Sequence, residues 1–254
     1  MTPFPEADLT CDGFLGGRLR IWQPRRGFRS AADAVLLAAA CPARPGETVL
    51  ELGCGSGVAL LCLGARIPGL ALTGLERQPG YADLARRNAT VNGIPAEIVT
   101  GDLAEMPATL RRSFDQVLAN PPYLSPGGGT GAGDAGREAA LRETTPLRVW
   151  VAAARRRLRP GGWLTLVQRA DRLPDVLTAL AEGYGSVAVL PVAGRTARPA
   201  GRVIVRARKG GRGAFRLLAP LILHEGATHD RDRDSHPPEV QAILRDGAPI
   251  NAFD

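Results

Sequence analysis

A short segment near residue 50 joins a strand pattern to a helix pattern through three alternating glycines. Thr48-Val49-Leu50-Glu51-Leu52 is typical of a buried β-strand, and Val58 to Ala65 is typical of a helix. Between them, Gly53, Gly55 and Gly57 permit a tight turn and a close approach of the backbone to a ligand. Because this pattern occurs in many α/β ligand sites, it predicts a fold class more firmly than a particular ligand.

Strand and helix patterns alternate along the rest of the chain. The alternation predicts an α/β, Rossmann-like fold, in which a mostly parallel seven-stranded sheet carries helices on both faces. The last two strands are the candidates for antiparallel pairing. The other predicted strands are Ala71–Glu76, Glu97–Thr100, Gln116–Ala119, Trp163–Val167, Val187–Leu190 and Val203–Ala207, and the other predicted helices are Ser30–Ala40, Tyr81–Val91, Leu147–Leu158 and Val176–Ala181.

The segment before the first predicted strand has weaker signals. Residues 1–29 are expected to be irregular, with short strand pieces around Arg18 to Gln23, because glycines interrupt any periodicity. Ser30 followed by Asp33 matches a capping box, which predicts that Ser30 begins the first helix. Asp33 could instead position a ligand, but the cap explains it adequately.

Length and composition are those of an ordinary globular protein. The 254 residues are 44% hydrophobic and 22% charged. No stretch approaches the roughly 18 apolar residues of a membrane span, and the N-terminus lacks the pattern of a secretion signal. The four cysteines form no metal-binding pattern and imply no disulfide. We therefore expect a cytoplasmic protein with no metal and no membrane association.

The expected organisation is a single domain over residues 1–254. Residues 1–45 form an N-terminal extension that precedes the ligand-binding core. Residues 125–136 contain six glycines and form a flexible substrate loop directly after the most distinctive motif of the chain. The sequence gives no indication of the oligomeric state.

The basic charge of the chain has two explanations. The net charge is +7, and Lys209 is the only lysine, so arginine supplies nearly all the positive charge. Arginine suits a nucleic-acid partner because its planar group binds phosphate and stacks on bases. GC-rich codons would produce the same bias. Two interpretations are equally open for Arg137 and Arg142: they contact phosphates or the rim of the active site, or they lie on a solvated helix face.

Two acidic residues lie where predicted strands end. Glu76 ends the second strand, where a carboxylate can accept hydrogen bonds from both hydroxyls of a ribose. Asp102 follows the third strand and can accept from an adenine amino group. The alternatives are an exposed strand-end carboxylate for Glu76 and a turn or helix cap for Asp102. Ligands bind in the crevice at such strand ends, which favours the ligand role for both.

The most distinctive motif is Asn120-Pro121-Pro122-Tyr123, directly after a buried strand. The two prolines remove backbone donors and leave carbonyl acceptors beside the Asn120 amide. A flat group carrying an NH₂ could donate one hydrogen to Asn120 and one to the Pro121 carbonyl while its ring stacks on Tyr123. A Pro-Pro turn is the alternative interpretation.

Together these motifs resemble those of the class I S-adenosylmethionine-dependent methyltransferases that modify amino groups. The resemblance implies S-adenosylmethionine as cofactor, S-adenosylhomocysteine as product, and a reaction in which Asn120, Pro121 and Tyr123 hold the amine. No metal is required. It implies a cofactor site that consists of Gly53, Gly55 and Gly57 under the methionine moiety, Glu51 near its ammonium, Glu76 at the ribose, Asp102 and Leu103 around the adenine, and Asn120.

The flanking segments resemble the tRNA1(Val) adenosine-37 N6-methyltransferase family. The similar segments are Phe28 to Leu37, Arg137 to Glu143 and Leu223 to Arg245, and the likeness covers roughly residues 12 to 247. This resemblance implies a tRNA substrate whose loop adenine is splayed into the site. The loop after Tyr123 is longer and richer in glycine than the family pattern.

Three other functions stay open at this point. A release-factor glutamine N5-methyltransferase would use the same amine chemistry, although such enzymes usually carry a helical domain before the core, for which the first 45 residues or so leave little room. A non-catalytic cofactor- or RNA-binding module would need neither Asn120 nor Tyr123. DNA adenine methylation would ordinarily require a separate base-recognition domain.

Overall fold

A computed structural model of the chain describes residues 4–123, 145–226 and 235–253. The α-helices are α1 (Ala32–Ala40), α2 (Val58–Arg66), α3 (Pro79–Val91), α4 (Leu147–Arg157), α5 (Leu173–Leu180) and α6 (Pro238–Gln241). The strands are β1 (Leu9–Phe14), β2 (Leu19–Pro24), β3 (Thr48–Leu52), β4 (Ala71–Glu76), β5 (Ala96–Thr100), β6 (Phe114–Ala119), β7 (Leu158–Arg169), β8 (Tyr184–Ala193), β9 (Ala200–Lys209), β10 (Arg216–Leu217) and β11 (Leu221–Ile222).

The central sheet confirms the predicted fold class. Its order is β10-β8-β9-β7-β6-β3-β4-β5, with β11 also paired to β8. Strands β7, β6, β3, β4 and β5 pair in parallel, whereas β9 is antiparallel to both β7 and β8. The seven predicted strands are all present. The described sheet has nine because β10 and β11, with two residues each, are too short to produce a sequence pattern.

The strands of the sheet alternate their side chains between two apolar layers. In β3, Val49 packs with α1 and α2 on one face, while Leu50 and Leu52 pack with α4 on the other. All three side chains are fully buried. Burial on both faces explains why consecutive residues of β3, such as Val49 and Leu50, are both apolar. The carboxyl ends of the parallel strands therefore meet at one edge, where a ligand crevice is expected.

The N-terminal segment is more regular than predicted. Strands β1 and β2 form an antiparallel hairpin, of which only the second strand was expected. The Asn88 side chain of α3 holds this hairpin: its Oδ1 accepts from the Trp22 N–H at 2.8 Å, and its Nδ2 donates to the Trp22 carbonyl at 3.0 Å. The contact depends on residues 66 positions apart, which no local pattern could reveal.

The predicted capping box at Ser30 is wrong. Helix α1 begins after Ala31, and no side chain caps it. The Ser30 backbone instead pairs with the Gln23 amide, whose Oε1 accepts from the Ser30 N–H at 2.8 Å and whose Nε2 donates to the Ser30 carbonyl at 3.2 Å. The Asp33 carboxylate accepts hydrogen bonds from Tyr123 and Arg202 instead of capping the helix.

Some predictions concern residues for which no structure is described. The glycine-rich loop 125–136, Arg137 and Arg142 all lie outside the described ranges. Within those ranges, no helix is long and apolar enough to cross a bilayer.

Candidate active site

A single cavity lies at the carboxyl ends of β3, β4 and β6 and beside the turn that follows β5. It brings together residues as far apart in the sequence as Phe28 and Trp150. The predicted site residues that line it are Glu51, Gly53, Gly55, Glu76, Asp102, Leu103, Asn120, Pro121 and Tyr123.

The three glycines of the first loop all have positive φ but do not share one role. Gly53 (φ +67°) and Gly55 (φ +54°) line the cavity. Gly57 (φ +84°) is the N-cap of α2, and a Cβ there would lie 3.3 Å from the Ala85 Cβ. Gly57 is not among the lining residues, so the structure gives it a role in packing α2 against α3 and not a place on the cavity wall.

Glu51 is a carboxyl group enclosed by the fold. It is 3% exposed, and its Oε2 accepts a hydrogen bond from the Leu60 N–H of α2 at 2.9 Å. Burial raises its pKa to about 8, because a charged carboxylate is poorly solvated there. A cationic ligand group in the cavity would favour the ionised form.

Glu76 connects the end of β4 to the glycine loop. Its Oε2 accepts from the Gly55 N–H at 2.9 Å, and its Oε1 accepts from the Gln78 N–H at 2.8 Å. Burial raises the pKa of this carboxyl group, and the two N–H donors oppose that rise. Each oxygen keeps a second lone pair for a hydroxyl donor, so the carboxylate is both fixed in place and able to accept more hydrogen bonds.

Asp102 lies in the turn after β5. Its Oδ1 accepts from the Ala104 N–H at 2.8 Å, and its Oδ2 lies 3.9 Å from the Arg77 guanidinium. The turn geometry that was the alternative for Asp102 is therefore present, and the residue also lines the cavity. Neighbouring Leu103 contributes a buried apolar surface.

All four residues of the Asn120-Pro121-Pro122-Tyr123 segment line the cavity. Asn120 Oδ1 is fully buried, and it has no hydrogen-bond partner within the described parts of the chain. The Pro122 carbonyl accepts from Gln168 Nε2 at 3.3 Å, which ties the segment to the end of β7. An unsatisfied buried acceptor is unfavourable by about 1–3 kcal/mol, so this oxygen is prepared for a donor that enters the cavity.

Three aromatic residues on the wall were not among the predicted site residues. Phe28 follows the hairpin, Tyr81 belongs to α3 and Trp150 to α4. A Cβ on Gly53 would lie 2.6 Å from the Trp150 ring, so the glycine is needed for this packing. An isolated aromatic residue in a helix usually indicates core packing, and only the fold shows that these three share one cavity.

Metal and thiol chemistry find no support in the described ranges. They contain no group of three or more His, Cys, Asp and Glu side chains arranged for a metal ion. All four cysteines are free. Cys54 lies in the glycine loop, where burial raises the pKa of its thiol well above the ordinary value and disfavours the nucleophilic thiolate.

Comparison with known proteins identifies the family. Residues 31–194 match the family described as the methyltransferase small domain, and the chain belongs to that family. A solved structure described as a predicted O-methyltransferase from Agrobacterium tumefaciens is similar, with a TM-score of 0.69 and 25% identity over 86% of this chain and 98% of its own. The chain is a class I S-adenosylmethionine-dependent N-methyltransferase.

Two curated relatives represent the two leading functional alternatives. The tRNA1(Val) (adenine(37)-N6)-methyltransferase of Dickeya chrysanthemi (strain Ech1591) is 29% identical over 94% of both chains. The release factor glutamine methyltransferase of Geobacter sulfurreducens is 33% identical over 46% of this chain and 43% of its own. The similarity to the first relative extends over nearly the whole length, whereas that to the second covers less than half.

Proposed function

We propose that this enzyme methylates the exocyclic N6 amine of an adenine in tRNA, namely adenine 37 of a valine tRNA. The observation that carries the proposal is the buried, unpaired Asn120 Oδ1 on the wall of the same cavity as the glycine loop. Similarity over 94% of the length of a tRNA adenine methyltransferase supports the choice of substrate. The basic net charge of +7 suits a nucleic-acid partner.

The residues on the cavity wall fit the cofactor of this class. A Cβ on Gly55 would have only the Phe28 ring within 4 Å, at 3.8 Å, so the loop leaves open space that a ligand can fill. In our proposal Glu51 lies near the ammonium group, Glu76 accepts the ribose hydroxyls, and Asp102 with Leu103 borders the adenine. The cofactor supplies an electrophilic methyl group on a sulfonium.

Asn120 and Pro121 prepare the nucleophile. The exocyclic amine of adenine is weakly nucleophilic because its lone pair is delocalised into the ring. Hydrogen bonds from its two hydrogens to Asn120 Oδ1 and the Pro121 carbonyl draw the nitrogen toward a tetrahedral shape and localise that lone pair. Tyr123 stacks against the base. The rate enhancement then comes largely from proximity and alignment.

One assay separates the candidate substrates. The protein is incubated with methyl-labelled cofactor and with bulk tRNA, a release factor or duplex DNA, and the product is digested and identified. We expect N6-methyladenosine from tRNA. Label in a glutamine side chain, or in DNA alone, would refute the proposed substrate.

Two variants test the role of Asn120. Asn120→Ala should abolish transfer while cofactor affinity persists, because the amine loses its acceptor. Asn92→Ala is a matched control, since within the described ranges the Asn92 amide bonds only the backbone of Arg20 and Asn88, none of which lines the cavity. Retained turnover in Asn120→Ala would disprove the amine-holding role.

A further inference from the structure

Tyr123 is held by two side chains from distant parts of the chain. Its hydroxyl donates to Asp33 Oδ2 at 2.7 Å, and the Arg202 Nε donates to the same oxygen at 3.1 Å. The Arg202 guanidinium also covers one face of the phenol ring, with its central carbon 4.4 Å from the ring centroid. The three groups form a closed set in which each contacts the other two.

Only one member of this set belongs to the wall of the cavity. Tyr123 lines the cavity, whereas Asp33 and Arg202 do not. Asp33 lies in the first turn of α1, and Arg202 lies on β9 opposite Arg169 of β7. Their contact with the cavity is therefore made through Tyr123.

The chemistry of the set fixes both the tilt and the free face of the ring. A hydrogen bond at the hydroxyl stops the phenol from swinging about its Cβ, and the stacked guanidinium occupies one π-face. A planar ligand can then stack only on the other face. Burial, together with the charge of Asp33, raises the pKa of Tyr123, so its hydroxyl stays protonated and remains a donor.

We propose that Asp33 and Arg202 are positioning residues that orient the Tyr123 ring as the stacking surface for the methyl acceptor. The proposal rests on the proposed function in one respect, namely that a planar amine-bearing group stacks on Tyr123. It extends that function by assigning a role to two residues outside the cavity.

The kinetic test is a double-mutant cycle. Asp33→Ala and Tyr123→Phe should each lower kcat/KM for the acceptor about tenfold, a loss of the size expected when base stacking is impaired. The double variant should lose no more than either single variant, because both remove the same hydrogen bond. The KM for the methyl donor should stay unchanged. Losses that multiply, or a parallel loss of donor affinity, would overturn the proposal.

Two further variants test the arginine and control for a general loss of stability. Arg202→Lys keeps the charge but not the planar stack, and it should also lower kcat/KM for the acceptor. Asp175→Ala is the control: like Asp33, Asp175 lies in the first turn of a helix and pairs with an arginine, Arg172, at 2.6 Å, and neither aspartate lines the cavity. This control should leave kcat/KM unchanged. An equal loss in Asp175→Ala would assign the effect to general destabilisation and overturn the proposal.

A spectroscopic measurement tests the contact without relying on activity. With tyrosine labelled by ¹³C at Cζ, the three tyrosines give three resonances, and the one missing in Tyr123→Phe identifies Tyr123. Asp33→Asn should shift that resonance and leave the other two in place. An unmoved Tyr123 resonance would overturn the proposal. A shifted resonance in a protein that methylates no tRNA would refute the proposed substrate and leave the positioning role intact.

Discussion

The Tyr81 hydroxyl makes two hydrogen bonds to Phe28, accepting from its N–H at 2.8 Å and donating to its carbonyl at 3.1 Å. Tyr81→Phe removes both bonds and frees Phe28, which lines the cavity beside Gly55. We expect the Kd of the methyl donor to rise about tenfold, since two bonds of this kind contribute about 1–3 kcal/mol together. Isothermal titration measures the change.

Tyr184→Phe is the control for this prediction. Its hydroxyl also bonds a backbone carbonyl, that of Val151, at 3.2 Å, but Tyr184 lies at the start of β8 and does not line the cavity. It should lose a little thermal stability and keep the donor affinity of the wild type. Equal affinities in Tyr81→Phe and Tyr184→Phe would contradict the role given to the Phe28 contact.

Gly53→Ala should weaken binding of the methyl donor by more than backbone strain alone explains. The new Cβ would lie 2.6 Å from the Trp150 ring, at a residue with φ +67°. Gly210 has the same φ of +67° with no atom within 4 Å of such a Cβ, so Gly210→Ala reports the strain of about 1–2 kcal/mol by itself. Donor affinity and thermal unfolding of both variants decide the question. A normal Kd in Gly53→Ala would show that the loop tolerates the displaced ring.

Glu51→Gln should stabilise the donor-free protein, and more so at alkaline pH. The pKa of Glu51 is raised to about 8 in the folded state, so the unfolded chain releases this proton at a lower pH than the native protein does. The free energy of unfolding therefore falls as pH rises toward 8, by about 1.4 kcal/mol per pH unit for one group. Glutamine carries no ionisable proton, so the substitution removes this pH-dependent fall in the free energy of unfolding.

Thermal unfolding at about pH 5 and about pH 8 measures the effect. The stability advantage of Glu51→Gln should be larger at the higher pH, while its affinity for the cationic donor falls. Exposed Glu105 provides the control, and Glu105→Gln should show no such pH dependence. An advantage of Glu51→Gln that does not grow with pH would rule out a buried, neutral Glu51.

Arg198→Gln should weaken tRNA binding if tRNA is the substrate. Arg198 is exposed in the turn between β8 and β9, four residues before Arg202, and it makes no side-chain hydrogen bond or ion pair within the described ranges. Losing one phosphate contact should reduce the slope of log K against log[salt] by about one.

Arg156→Gln is the control for this prediction. Arg156 lies in the last turn of α4, near the opposite edge of the sheet, and its substitution should leave binding unchanged. Filter binding over a series of salt concentrations distinguishes the two, and identical slopes would exclude the Arg198 contact.

The sequence predicted the sheet well because its strands are buried on both faces. Strands β3 and β4 were predicted at their observed limits, since each has buried leucine side chains next to a turn signal. Strand β1 was missed because three of its six residues, Thr10, Asp12 and Gly13, are polar or glycine. The residue that holds the hairpin, Asn88, lies far along the chain.

The site was predictable where a motif lies at a strand end and not where the fold brings distant residues together. Glu51, Glu76 and Asn120 each lie within one residue of the end of a strand, and they reach the same cavity. Asp33 was assigned to a helix cap because its local pattern fits one, but its partners are 90 and 169 positions away. Gly57 fits the same glycine pattern as Gly55, and only the packing against Ala85 distinguishes them.

The unpaired Asn120 oxygen also bears on how many methyl groups one amine receives. An unmodified amine has two hydrogens, one for Asn120 Oδ1 and one for the Pro121 carbonyl. A monomethylated amine has one, so the product would leave a buried acceptor without a donor, at a cost of about 1–3 kcal/mol. A deaminated base would place its carbonyl oxygen against both acceptors. The proposed receptor thus favours a single methylation and discriminates against deaminated nucleosides.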